Sequence, residues 1–168
     1  MKIAIELNGV LRDTLKKIQQ EYEKWYIENP FREEEEFEYE VLSDVTSLDI
    51  GKHLKFKTED ELYDFLYKEH TMEIFGHAGS VEPMGLLDLN DFYLDMRENH
   101  DILIVSDEIG KSKPASLDIL LTANPKLLLN HPEKKIVIKF ETVYNKEIDS
   151  KHTITSLKEL KSKIEEIQ

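Results

Sequence analysis

An apolar run that stops abruptly at a polar turn constrains this chain more than any other feature. Residues 2–7 read Lys2-Ile3-Ala4-Ile5-Glu6-Leu7, aliphatic and β-branched enough for a strand buried on both faces. Asn8-Gly9-Val10-Leu11-Arg12-Asp13-Thr14 follows, and Asp13 or Thr14 can cap a helix. A buried strand, a glycine turn and a helix start describe the carboxyl end of a strand in an open α/β sheet, where such folds place ligands.

The rest of the chain repeats the theme. Leu15, Ile18, Tyr22, Trp25 and Tyr26 recur at helical spacing until Asn29-Pro30 stops the pattern. That spacing favours packing of the three aromatics over a partner surface. Thr58 and Glu61 form a capping box ahead of a helix carrying Leu62, Tyr63, Phe65, Leu66 and Tyr67. Gly76 and Gly79 break the chain, and residues 81–87 read as a loop with Pro83 and Gly85. Asn90 can cap a helix to Asn99, with Phe92, Tyr93 and Met96 inward. Residues 101–106, 118–122 and 135–140 read as three more strands, the last more alternating and so nearer a sheet edge. Ser156 and Glu159 form a second capping box, opening a helix with Leu157, Leu160, Ile164 and Ile167 on one stripe. Strands alternating with helices predict a parallel sheet of about four strands with right-handed crossovers.

Composition removes several function classes. The 168 residues suit one domain with a small insertion. Twenty-two basic and 35 acidic residues leave a net charge of −13, which opposes binding to nucleic acid phosphates and to anionic membranes. With no cysteine, disulfides, thiolate metal sites and cysteine nucleophiles drop out. No signal peptide or membrane span is evident, so a soluble cytoplasmic or otherwise intracellular protein is expected. Glu33, Glu34, Glu35 and Glu36 suggest a metal site, but consecutive carboxylates repel and normally face solvent. The six histidines lack close ligand spacing. Gly110-Lys111-Ser112 lacks the first glycine of a phosphate loop.

The opening turn resembles the first motif of the haloacid dehalogenase (HAD) superfamily, Asp-x-Asp-Gly-(Val/Thr)-Leu-x-Asp-Thr. The match runs in order from residue 2 to the terminal helix, and is nearest to short 5′-nucleotidase-like members, including phage ones. Ile74-Phe75-Gly76-His77-Ala78, Asn124-Pro125 and Val143-Tyr144-Asn145 support it. The resemblance implies an abbreviated HAD-like, Rossmann-like α/β domain over 1–168. Its core would be 1–27 and 88–168, and its cap-type insertion about 28–87. It also implies four site positions. Glu6 stands for the nucleophile and Asn8 for the general acid/base. Ser106 stands for the hydroxyl, and Lys113 for the lysine, with Lys111 as an alternative. The metal-holding positions read Glu6, Thr122 and Ala123.

In such phosphatases one carboxylate attacks phosphorus, a second moves the leaving-group proton, and Mg²⁺, lysine and hydroxyl offset phosphoryl charge. Here Glu6 shifts its carboxylate by one methylene, Asn8 cannot act as an acid, and Thr122 and Ala123 remove metal carboxylates. The stretch between Ser106 and Thr122 is also short. The expectation is a catalytically inactive HAD-like protein that needs no cofactor and has a structural or protein-interaction role. A phage virion or its assembly is the implied setting. The alternative is a divergent Mg²⁺-dependent phosphatase or 5′-nucleotidase, with Asp107 or Glu108 completing the metal site.

Overall fold

The structure is a computed structural model, and it describes residues 1–28, 54, 56–81, 86–106, 117–130 and 135–168. Five strands form one all-parallel sheet: β1 (Lys2–Glu6), β2 (Asp101–Val105), β3 (Ile119–Thr122), β4 (Ile136–Phe140) and β5 (His152–Ile154). Their order is β2-β1-β3-β4-β5. The sheet therefore grows outward in both directions from β1 and β3, and their carboxyl ends flank the point where the winding reverses.

The expected α/β class and parallel sheet are present, with one more strand than the sequence predicted. That strand, β5, is only His152-Thr153-Ile154, and it pairs Ile138 with His152 and Phe140 with Ile154. With β5 outside it, β4 is the next-to-edge strand, between β3 and β5, in keeping with its more alternating pattern.

Side chains alternate across the sheet because the strand period is two. Ile3, Ile5, Ile102, Ile119, Leu121, Ile138, Phe140 and Ile154 belong to one core cluster. Two helices close it. Helix α3 (Leu86–Asn99) contributes Met96, and α5 (Leu160–Ile167) contributes Leu160 and Ile164. Fully burying one such aliphatic side chain is worth roughly 1.5–3 kcal/mol. On the opposite parity, Ala4, Val105 and Leu117 are buried together, with Leu103 and Leu120 partly buried against them.

Helix α3 begins at Leu86, inside the predicted loop, so the helix does not wait for Asn90. Before α5 the chain makes a single 3₁₀ turn, Leu157–Glu159. Ser156 caps this turn by accepting from Lys158 N, while Glu159 reaches back to the Thr155 amide and hydroxyl. Asn124 accepts from Lys126 N and, with Pro125 in the first turn, opens the short helix α4 (Pro125–Leu129).

Chain contacts divide the molecule into two compact units, Met1–Arg12 with Ser80–Gln168, and Asp13–Gly79. The sheet lies in the first. Helix α1 (Thr14–Glu28), which the sequence placed in the core segment 1–27, clusters in the second unit. Ile18 and Tyr22 of α1 are buried with Leu54, Phe65, Leu66 and Ile74, and Trp25 and Tyr26 pack against them. The α1 aromatics thus serve as core. Helix α2 (Glu59–Asp64) starts at Thr58, whose hydroxyl accepts from Glu61 N at 3.2 Å. Glu61 returns the bond to Lys57 N, one residue before the cap, at 2.7 Å. The chain then widens into two π-helical turns, Phe65–Glu69 and Met72–Gly76.

Candidate functional site

The turn after β1 is shaped by Gly9. Its φ of +87° is a conformation that side chains with a Cβ rarely adopt. A Cβ there would also collide with the Tyr144 hydroxyl and crowd the Ala123 side chain. Two amides fold the turn back on itself, Leu11 N and Arg12 N both donating to Leu7 O at 3.1 and 2.8 Å. Gly9 N donates to Arg12 O at 2.8 Å, and Leu7 N ties the turn to β2 through Val105 O at 2.7 Å.

Parallel register brings the ends of the strands level. Ile5 is opposite Leu121, so Glu6 and Thr122 are neighbours of the same parity. The outcome is a direct bond: Thr122 Oγ1 donates to Glu6 Oε2 at 2.5 Å. The same oxygen accepts from Ala123 N at 2.9 Å. Thr122 Oγ1 in turn accepts from Asn124 N at 3.0 Å, which links the pair to the cap of α4. Glu6 is 2 % exposed and Thr122 is fully buried. The three positions that the resemblance assigns to a nucleophile and metal-binding acids are thus joined to one another.

The polar register continues across the sheet. Thr122 is paired with Lys139, and Lys139 with Thr153. Lys139 is buried, its Nζ donating to Ile148 O at 2.9 Å and lying 3.2 Å from Glu141 Oε2. Asn145 locks the adjoining loop. It donates from Nδ2 to Ala123 O and Phe140 O at 2.9 and 2.8 Å, and its Oδ1 accepts from Thr142 N at 2.8 Å. One buried amide therefore holds the ends of β3 and β4. In the sequence Asn145 stands out only within Val143-Tyr144-Asn145, and nothing marks Lys139. Counting alternation in 135–140 puts Lys139 on the parity opposite Ile138 and Phe140, but its burial needs β5.

Of the remaining sequence-predicted positions, Asn8 sits in the turn, bridged to Arg12. Ser106 is exposed just beyond β2, next along the chain from Val105, whose register partner is Glu6. Lys113, Lys111, Asp107 and Glu108 lie outside the described residues, as do Gly110-Lys111-Ser112 and the acidic run at 33–36. A Mg²⁺ site of the kind the resemblance implies would need carboxylate oxygens at 122 or 123. Those positions offer a hydroxyl and a backbone amide, both already bonded to the Glu6 carboxylate. The described residues therefore do not fit that metal.

A second polar cluster lies in the Asp13–Gly79 unit. Glu21, 3 % exposed, receives Lys24 Nζ at 2.8 Å and Lys17 Nζ at 2.9 Å on Oε1, while His70 Nδ1 stands 3.6 Å from Oε2. Burial pushes its carboxyl up. The hydrogen bonds and charges of Lys24 and Lys17 outweigh burial and bring it from 4.5 down to about 2. His100 and His152 are shifted below the ordinary imidazole value, chiefly by burial and further by nearby positive charge.

Fold and site together define an α/β protein with a five-stranded parallel sheet and a buried carboxylate at its switch point. Compared with known family models the chain matches none, and compared with curated proteins it finds no match. No helix among the described residues is long and apolar enough to cross a membrane.

Proposed function

We propose that this chain is a HAD-like protein whose crevice is kept for the fold and not for phosphoryl transfer, and that it acts as a structural or protein-interaction component. A phage particle or its assembly is the setting that the resemblance implies. One observation carries the proposal: the Glu6 carboxylate is bonded to Thr122 and Ala123, the residues standing where metal-binding acids would be. A nucleophile must present a lone pair to phosphorus with about 3–3.5 Å geometry, and a metal ligand must present one to the ion. Glu6 Oε2 instead accepts two protein hydrogens, and Oε1 is closed off from solvent in the same buried site. Asn8 adds to this, because a carboxamide has no acidic proton to give a leaving group at neutral pH.

The sheet order also supports the reading. The three strands that carry the motif positions, β2, β1 and β3, are adjacent and parallel, so Ser106, Glu6 and Thr122 share one end of the sheet. Keeping the arrangement while replacing its acids is what a scaffold retained without its chemistry would do.

The test is a ³¹P and ¹⁵N NMR titration with Mg²⁺ and inorganic phosphate. Unchanged Thr122, Ala123 and Asn124 amide resonances at millimolar concentrations are expected. Saturable shifts at those amides, requiring both Mg²⁺ and phosphate, would favour a divergent phosphatase instead.

A further inference from the structure

We infer that the Asp13–Gly79 unit carries a docking surface for a basic amphipathic helix of a partner protein, centred on Tyr63, Tyr67, Met72 and Phe75. The inference rests on the reading of the chain as an interaction component and names the surface and chemistry of that interaction. Three large apolar side chains are left in solvent here: Tyr63 is 55 % exposed, Tyr67 53 % and Met72 71 %. Isolated exposed apolar residues are ordinary, but a contiguous patch marks an interaction site. Tyr63, Tyr67 and Phe75 are contiguous. Tyr63 and Tyr67 have ring centroids 5.0 Å apart, and Tyr67 stacks on Phe75 at 5.7 Å with planes 8° apart. The Met72 methyl extends toward Gly76, where no side chain stands.

The ladder is ordered before anything binds. Phe75 packs against the core of the unit, and Lys68 lies 5.9 Å over the Tyr63 ring while pairing with Asp64. Pre-ordered aromatic rings lose little entropy on binding, and Tyr and Met are enriched where proteins meet. The two π-helical turns that set this geometry are of a kind common at functional sites.

Spacing and charge select the occupant. Ring steps of 5.0 and 5.7 Å match the rise of one α-helical turn, about 5.4 Å. A helix lying along the ladder would set one apolar side chain against each step. Asp60 precedes Tyr63 by three residues and Glu59 precedes it by four, so α2 geometry sets both beside that ring. Glu69 and Glu73 are also exposed. Residues 57–77, which hold the ladder, carry six acidic and two basic side chains, a net −4. An apolar ladder in an acidic setting complements a helix with leucines on one face and lysines elsewhere.

The experiment is fluorescence anisotropy with a labelled 14-residue Leu/Lys peptide of helical periodicity. A scrambled peptide of the same composition serves as reference. The intact chain should bind the periodic peptide at least tenfold more tightly than the scrambled one. Tyr67→Ser/Met72→Ser, which leaves net charge unchanged, should weaken the periodic peptide about tenfold. Asp60→Lys keeps every ring and should also weaken it, with greater effect at low salt. Equal affinity for the two peptides would reduce the effect to charge alone and overturn the inference. So would unchanged affinity in Asp60→Lys, or sedimentation showing a dimer of the intact chain that Tyr67→Ser/Met72→Ser dissociates. Phosphatase turnover by the intact chain would remove the non-catalytic reading without moving these affinities, so the two failures are distinguishable.

Discussion

Replacing Glu6 by alanine separates a structural carboxylate from a chemical one. The substitution removes the acceptor of two bonds, from Thr122 Oγ1 at 2.5 Å and Ala123 N at 2.9 Å, at positions 0 and 1 % exposed. Hydrogen bonds to a charged group contribute roughly 1.5–3 kcal/mol each, and a buried donor left without its acceptor costs about 1–3 kcal/mol. Removing the carboxylate also removes its own desolvation cost, so the sum is smaller than the parts. A net loss of about 3 kcal/mol is expected, with about 1 kcal/mol for Glu6→Gln, which keeps an acceptor oxygen but not the charge. Urea unfolding followed by far-UV circular dichroism at pH 7 would measure both. A loss under about 1 kcal/mol for Glu6→Ala would refute the structural role.

Three other perturbations test parts of the account. Glu21 titrates at about 2 in the folded chain against 4.5, so its contribution is whole above about pH 4.5 and is lost as pH falls toward 2. That contribution is about 2–3 kcal/mol once solvent screening at exposed Lys24 is allowed for, and Glu21→Gln should remove the acid-sensitive part. Trp25, the chain's single tryptophan, packs against the hydrophobic cluster of the same unit and reports its unfolding by fluorescence. Gly9→Ala should cost about 2–3 kcal/mol, from positive φ and from the Tyr144 hydroxyl together. In a Tyr144→Phe background the backbone part, about 1–2 kcal/mol, and the Ala123 crowding should remain, so the cost falls but does not vanish, which a double-mutant cycle in urea would show. Asn145→Ala strips two buried bonds that join the ends of β3 and β4 and a third, part-buried one to Thr142 N, and should destabilise by about 2–4 kcal/mol. Hydrogen exchange at the Thr142 amide should rise with it.

How legible this was in the sequence depended on what each element needs from its neighbours. Strands β1, β2, β3 and β4 announce themselves because a strand buried in a parallel sheet must be nearly continuous in Ile, Leu and Val. Strand β5 does not, because His152-Thr153-Ile154 is too short for a pattern and exists only by pairing with β4. Without β5, Lys139 reads as an outward-facing residue; with β5 paired beside it, it is buried and bonded to Ile148 O and Glu141. The polar ends of β1 and β3 were visible as unusual residues. That Glu6 and Thr122 bond directly needed the register, which one sequence does not contain. Trp25 and its neighbours were read correctly as core by their spacing, but their cluster belongs with residues 54–75 and not with the sheet. The start of α3 was hidden by Pro83 and Gly85, which read as loop up to Leu87.

The most direct test of the central claim is steady-state turnover of the purified chain with Mg²⁺ on nucleoside monophosphates and p-nitrophenyl phosphate, run beside Glu6→Ala. The account predicts phosphate release no faster than the buffer for both proteins, because the Glu6 carboxylate is bonded to Thr122 and Ala123 and Asn8 supplies no acid. Turnover above background in the intact chain, abolished in Glu6→Ala, would contradict it.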